Sequence, residues 1–391
     1  TLPDLAADNV VVVDAVATYN SDGIGLHRMI DPIDDEPYVY TQFEPAEAKR
    51  VFACFDQPDL KATWELAVDA PAGWEVISNG AVVARPEAGE QGTWRFGELP
   101  PIPTYVLGLV GGNYHRVDDE HRGVPLGVFC RQSLAEFLDA DEIFEITKAG
   151  MDLYAELFGL AYPFPKYDQV WVPEFNWGAM ENVGCVTFTE RTLFRSRVTE
   201  AERETRADTI LHELAHMWFG NLVTMRWWDD LWLNESFATF MATHALVKAT
   251  RFTDGWALFQ GREKAWAYRQ DQLPSTHPIA ADVVDTDAVS SQFDGITYAK
   301  GASVLRQLVA WVGEDEFFAG VRDYFARHAW GNTTLADFLA SLERASGRDL
   351  NAWSRVWLET AGVNTLRVVQ ADAAADDHGP QYEIAQEAPA Q

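Results

Sequence analysis

The character of this chain changes near residue 115, and that change restricts the fold more than any other feature. Before it, short runs rich in β-branched and aromatic residues alternate with turn signals, the pattern of strands joined by tight connections. Val10–Tyr19, Tyr38–Phe43, Thr63–Val68, Trp74–Ile77, Thr93–Phe96 and Tyr105–Val110 read as strands. Pro71-Ala72-Gly73, Ser78-Asn79-Gly80 and Pro100-Pro101-Ile102-Pro103 punctuate them. After residue 115, apolar residues recur at helical spacing. Asp141–Phe158 reads as a helix, and Gln169–Val172 and Val183–Phe188 read as short strands. Most of the chain beyond Thr199 reads as helix, at 235–249, 296–312, 314–327, 334–346 and 351–360. The last thirty residues return to alternation at Leu366–Val369 and Tyr382–Ile384, around an Asp-rich stretch. The expectation is a multidomain α+β protein. An all-β domain over 1–115, incomplete at its start, precedes a mainly helical domain over 116–361, and 362–391 opens a further, truncated β domain.

The 391 residues suit two or three domains, and 47% apolar with 13% aromatic residues is ample for sizeable cores. With 30 Lys+Arg against 60 Asp+Glu, the formal charge is −30, which argues against nucleic acid or an anionic membrane as the main partner. No run approaches the ~20 apolar residues of a membrane helix. Cys54, Cys130 and Cys185 are too far apart for a zinc knuckle and too few for a disulfide framework, so they read as buried free thiols in a reducing, cytoplasmic compartment. The chain opens Thr1-Leu2-Pro3, without Met or a charged-then-apolar leader, and Thr1 is compatible with an internal position of a longer protein.

Thr199 with Glu202 fits a capping box, and Gly220-Asn221 supplies a left-handed stop. The helix between them contains His212-Glu213-Leu214-Ala215-His216. Positions i and i+4 share a helix face, so His212 and His216 can reach one metal ion, and Glu213 can act on a metal-bound water. Two histidines on a helix can also serve packing; a third ligand is what decides. Glu235, in Trp232-Leu233-Asn234-Glu235-Ser236-Phe237-Ala238, is a single carboxylate within an apolar run, a poor place for an unpaired charge. A site of His212, His216 and Glu235 holding one Zn²⁺ is the better reading.

These residues resemble the gluzincin metallopeptidases. Gly178-Ala179-Met180-Glu181-Asn182 narrows the resemblance to zinc aminopeptidases of the aminopeptidase N type, and it extends from Thr41-Gln42-Phe43-Glu44 through Phe55-Asp56-Gln57-Pro58 to Tyr298-Ala299-Lys300-Gly301 and the helices to about 360. The resemblance implies a thermolysin-like catalytic domain that removes the N-terminal residue of peptides, and a chain that is a fragment of a longer enzyme. It implies Glu213 as general base and Tyr298 as oxyanion donor. It places Glu44 and Glu181 on the substrate's α-ammonium, Gln42 in the same pocket, and Gly178, Ala179, Met180 and Asn182 beside the peptide. Alone, Glu44 reads as a surface residue at a strand end and Tyr298 as packing or capping. Trp177 is expected to border the first side-chain pocket, and Asn234 and Asp230 to orient zinc ligands. Two other functions are weighed: an epoxide hydrolase of the leukotriene-processing branch, which tends to carry Gln where Glu44 stands, and a catalytically silent peptide-binding protein, against which the intact base argues.

Overall fold

The computed structural model describes residues 6–370 and 381–388. The Thr1-Leu2-Pro3 opening and the Asp-rich stretch within 371–380 lie outside the described residues. The architecture is α+β: the first part of the chain is built from sheets, and the part after Thr199 is largely helical. Two compact units emerge, 1–144 with 164–198, and 145–163 with 199–391.

In the first unit, strands Gly25–Ile30, Pro37–Gln42, Leu109–Gly112 and Glu75–Ser78 form a four-stranded sheet in the order 25–30, 37–42, 109–112, 75–78. Pro37–Gln42 lies between two neighbours, and all but its first residue are buried. That accounts for its unbroken Tyr-Val-Tyr run where a one-sided strand would alternate. A five-stranded sheet has the order 114–121, 124–131, 167–172, 185–189, 179–180. Val124–Arg131, Tyr167–Val172 and Cys185–Thr189 are mutually parallel, so their connections need crossovers. Helix α1, Ala140–Phe158, supplies the first of these. This sheet runs through the change of character at residue 115, since Tyr114 already pairs with Arg131.

Three strand readings change, the first being Thr63–Val68, which divides into Ala62–Trp64 and Ala67–Ala70 in different sheets. Residues 10–19 form no strand: Val10, Val12 and Val16 are 92%, 88% and 96% exposed, so the β-branched run has no neighbour to bury it among the described residues. Tyr105–Val110 begins as a 3-10 turn, Thr104–Val106, and turns into strand at Leu109.

In the second unit, helix α2 covers Glu200–His216 and helix α3 covers Leu231–Ala249. The capping box at the start of α2 is formed, with Thr199 Oγ1 accepting from Glu202 N and Glu202 Oε2 accepting from Thr199 N. Such a cap contributes about 0.5–2 kcal/mol. Helix α3 is buried from Leu231 through Leu246, as its nearly all-round apolar sequence requires. Phe219, just beyond α2, stacks on Phe237 of α3 at 3.9 Å between centroids. The later part of α1 fixes α2 from the other side, with the Tyr154 hydroxyl donating to the Leu211 carbonyl at 3.0 Å. Gly150 allows that approach, since a Cβ there would lie 2.5 Å from Leu211 Cδ2.

Candidate metal centre and ammonium site

Helical spacing brings His212 and His216 onto one turn of α2, and the Nε2 atoms are 3.0 Å apart. Glu235, in the second turn of α3, places Oε2 3.2 Å from Nε2 of His212 and 3.5 Å from Nε2 of His216. All three side chains are largely buried. Burial alone would raise the Glu235 pKa, but the two imidazoles outweigh it and hold the carboxyl below its usual range. Burial, with His216 alongside, pushes His212 down, which favours the neutral ring that binds metals.

The other ring nitrogens settle which face is offered. His216 Nδ1 lies 2.8 Å from Asn234 Oδ1 and 3.2 Å from the Phe219 carbonyl oxygen. Both are acceptors, so Nδ1 carries the proton and the Nε2 lone pair faces Glu235. His212 Nδ1 has the Thr239 hydroxyl at 3.4 Å. The donor set therefore fits a tetrahedral ion: ligands bonded at about 2.0–2.1 Å with tetrahedral angles stand about 3.3 Å apart. The triangle found has edges of 3.0, 3.2 and 3.5 Å. Among the described residues, this trio is one of the groupings whose geometry could hold a metal.

Glu213, next to His212, is buried. Tyr298 lies in a π-helical turn, Ile296–Lys300, with its ring 6.1 Å from that of His212 and 23° from parallel. Gly220 has a φ of +122°, which glycine tolerates, and a Cβ there would fall 2.3 Å from Asn234 Oδ1, the atom that holds His216. Asp230 does different work from that expected of it: its carboxylate accepts from Leu335 N at the start of helix Leu335–Ser346.

In the first unit, a carboxylate oxygen of Glu44 and one of Glu181 come within 4.8 Å of each other. Gln42 Nε2 donates to Met180 Sδ at 3.3 Å, both side chains being buried. Ala179–Met180 forms the outer strand of the five-stranded sheet, paired antiparallel with Phe188 and Thr187. Among the described residues, no further strand pairs with its other side. Gly178 accepts from Thr189 N and has no atom within 4 Å of a built Cβ. Asn182 is buried, with Nδ2 3.4 Å from Thr187 Oγ1. Trp177 is 39% exposed.

Sequence reasoning read Asn79 as turn punctuation, yet it is a buried clamp behind this loop. Its Nδ2 donates to the carbonyls of Val106 and Val183 at 2.9 and 2.8 Å, and its Oδ1 accepts from Gly108 N at 2.8 Å. Thr239, whose hydroxyl lies 3.4 Å from His212 Nδ1, and Ser236, whose Oγ donates to the Thr297 carbonyl, were also missed. A polar residue recurring within an otherwise apolar helix was the available signal.

Residues 142–357 match the peptidase family M1 domain, and residues 16–106 match the peptidase M1 N-terminal domain. The chain is 56% identical to a protein named aminopeptidase N from Streptomyces lividans, over 99% of this chain and 45% of that protein. It is 37% identical to leucyl aminopeptidase from Saccharolobus solfataricus, over 84% of this chain and 42% of that protein. Against tricorn protease-interacting factor F2 from Thermoplasma acidophilum the identity is 34%, over 93% of this chain and 46% of that protein. The chain thus spans less than half the length of these relatives. No helix among the described residues is long and apolar enough to cross a membrane. With both family domains matched in order along it, the chain belongs to peptidase family M1.

Proposed function

We propose that this chain carries the catalytic machinery of a zinc aminopeptidase, which hydrolyses the first residue from peptides with a free N-terminus. The observation that carries the reading is the triangle of donor atoms from His212, His216 and Glu235, sized for one Zn²⁺. When bound, the ion supplies Lewis acidity that polarises the scissile carbonyl and makes water a better nucleophile near neutral pH.

Glu213 takes the proton of the attacking water and passes it to the leaving amine. The Tyr298 hydroxyl donates to the carbonyl oxygen as it gains charge. Glu44 and Glu181 hold the α-ammonium with charge-assisted hydrogen bonds, Gln42 shapes their surroundings, and the segment Gly178–Asn182 offers its strand edge to an extended peptide. The proximity of two carboxylates supports this, because a shared cation relieves their repulsion. A Glu at position 44, where the epoxide hydrolases tend to carry Gln, favours the peptidase. We also propose the domain division 1–115, 116–361 and 362–391. A cytoplasmic site of action is supported by three cysteines that form no disulfide, two of them buried.

The test uses the full-length protein. Expected are one zinc per chain by elemental analysis and hydrolysis of aminoacyl-anilides that stops when zinc is chelated. Stoichiometric zinc without hydrolysis of any unblocked aminoacyl-anilide would overturn the reading in favour of a silent peptide-binding protein.

A further inference from the structure

The turn that carries Tyr298 is held from outside by a carboxylate and a histidine that have no part in the chemistry proposed for the metal centre. Asp294 Oδ1 accepts from the backbone N–H groups of Ile296 and Thr297, at 2.9 and 3.1 Å. These are donors left without partners where a helix begins. The second oxygen, Oδ2, lies 3.1 Å from Nε2 of His277. The remaining nitrogen of that ring, Nδ1, lies 2.7 Å from the carbonyl oxygen of Pro278. A carboxylate and a carbonyl only accept, so both contacts are hydrogen bonds only when both ring nitrogens are protonated. The pocket is built for an imidazolium.

Electrostatics agree with the geometry. Burial opposes charge on His277, but the bonds to Asp294 and to the Pro278 carbonyl outweigh it and raise the pKa. Lys300, at the end of the same turn, pushes the other way. Its Nζ is engaged by Asp271 at 2.9 Å, which tempers that opposition. On another side, Ser236 Oγ donates to the Thr297 carbonyl at 2.5 Å. The residue after the metal-binding Glu235 and the Asp294–His277 pair therefore grip the same turn.

We propose that Asp294 and His277 are positioning residues, a carboxylate–imidazolium pair that fixes the Tyr298 turn and so aims its phenol at the reacting carbonyl. This rests on the reading of Tyr298 as an oxyanion donor. A π-helical turn is a rare geometry that recurs at functional sites.

The test compares kcat, KM and zinc content of the full-length, zinc-loaded protein with Asp294→Asn, His277→Gln, Tyr298→Phe and the double variants. Asp294→Asn keeps an oxygen for the backbone donors and loses the charge that holds His277. It should lower kcat about ten- to a hundredfold, the scale of a small misplacement of a reacting group, with KM and zinc unchanged. On this proposal kcat falls on the alkaline side as His277 loses its proton, and in Asp294→Asn that fall should move to lower pH. In the Tyr298→Phe background the same change should cost less than about twofold, since no phenol is left to aim. Equal losses in both backgrounds would overturn the proposal alone, since the pair would then act on the fold at large. A Tyr298→Phe enzyme of normal rate would remove the underlying reading and the proposal with it. A separate measurement covers variants that fail to fold: in the parent protein, the His277 ring followed by NMR should titrate above the ordinary value of about 6.5. Titration at or below that value would overturn the imidazolium.

Discussion

Asn234 Oδ1 stands 2.8 Å from Nδ1 of His216, so the residue before Glu235, the third of the proposed metal donors, orients a histidine on a different helix. In the proposed zinc site, two consecutive residues of α3 thus serve one position, one as a donor and one through the imidazole. The arrangement depends on Gly220, which leaves room for the amide.

Replacing Asn234 with Ala should therefore weaken zinc binding about 10- to 100-fold, the usual cost of losing a partner behind a ligand. Competition with a chelator of known affinity reads this directly. Unchanged affinity would mean that the Phe219 carbonyl, 3.2 Å from the same nitrogen, suffices alone.

Glu213→Gln and Glu235→Ala should separate base from ligand. The first should retain zinc and lose at least ~10²-fold in kcat, the scale of a positioned acid or base. The second should lose zinc on mild chelation, because it removes one of three donors. Normal turnover by the Glu213 variant with full zinc would exclude it as the base.

The role proposed for Glu44 and Glu181 predicts that N-acetylated peptides are refused, since acetylation removes the charge that the two carboxylates would share. Losing one buried charged hydrogen bond costs roughly 2–5 kcal/mol, which is about 30- to several-thousand-fold in kcat/KM. Glu44→Gln should impair cleavage of free-amine peptides and narrow the gap to acetylated ones, with zinc unchanged. Because the contacts are direct, the discrimination should persist in salt that screens charges over about 10 Å or less.

Asp208 on α2 predicts a pH dependence of stability. Burial, with Glu263 alongside, pushes its pKa up to about 7 from the ordinary value of 3.8. The folded protein then binds more protons at this position than the unfolded chain does between those two values, so its contribution to stability falls as pH rises through that window. Asp208→Asn removes the penalty. The thermal midpoint of the variant should gain on the parent from about pH 4 to about pH 7 and hold that gain above it. A constant difference across the range would contradict the shift.

How much of this could be read from sequence differs by element. The metal helix was legible because its capping box and its i, i+4 histidines are local patterns, and its observed start comes directly after Thr199 as the box requires. The strand expected at Val10–Tyr19 failed because β-branched composition reports only a preference, while a strand also needs a neighbour. Asp294, His277 and Ser236 were invisible for a related reason. Their value lies in contacts that span 17 residues between His277 and Asp294 and 61 residues between Ser236 and Thr297, a juxtaposition that no local spacing encodes. The helix expected over 296–312 was legible as a helix, but not as a π-helical turn followed by an α-helix at Gly301–Val312.

That turn makes the position of Tyr298 a matter of residue count as well as residue type. A π-turn holds one more residue than the α-turn it replaces, as the bond from Lys300 N to the Gly295 carbonyl at 2.9 Å shows. Deleting a single residue from 296–300 would let the segment relax into a continuous α-helix joined to 301–312. Because the extra residue is taken up inside the widened turn, the two flanks would keep their facing, while the residues within the turn, Tyr298 among them, would be re-aimed. Such a deletion keeps every side chain of the proposed catalytic set when it falls on Ile296 or Ala299, yet it should lower the proposed activity as far as loss of the phenol does. In this region an alignment gap carries as much information as a substitution.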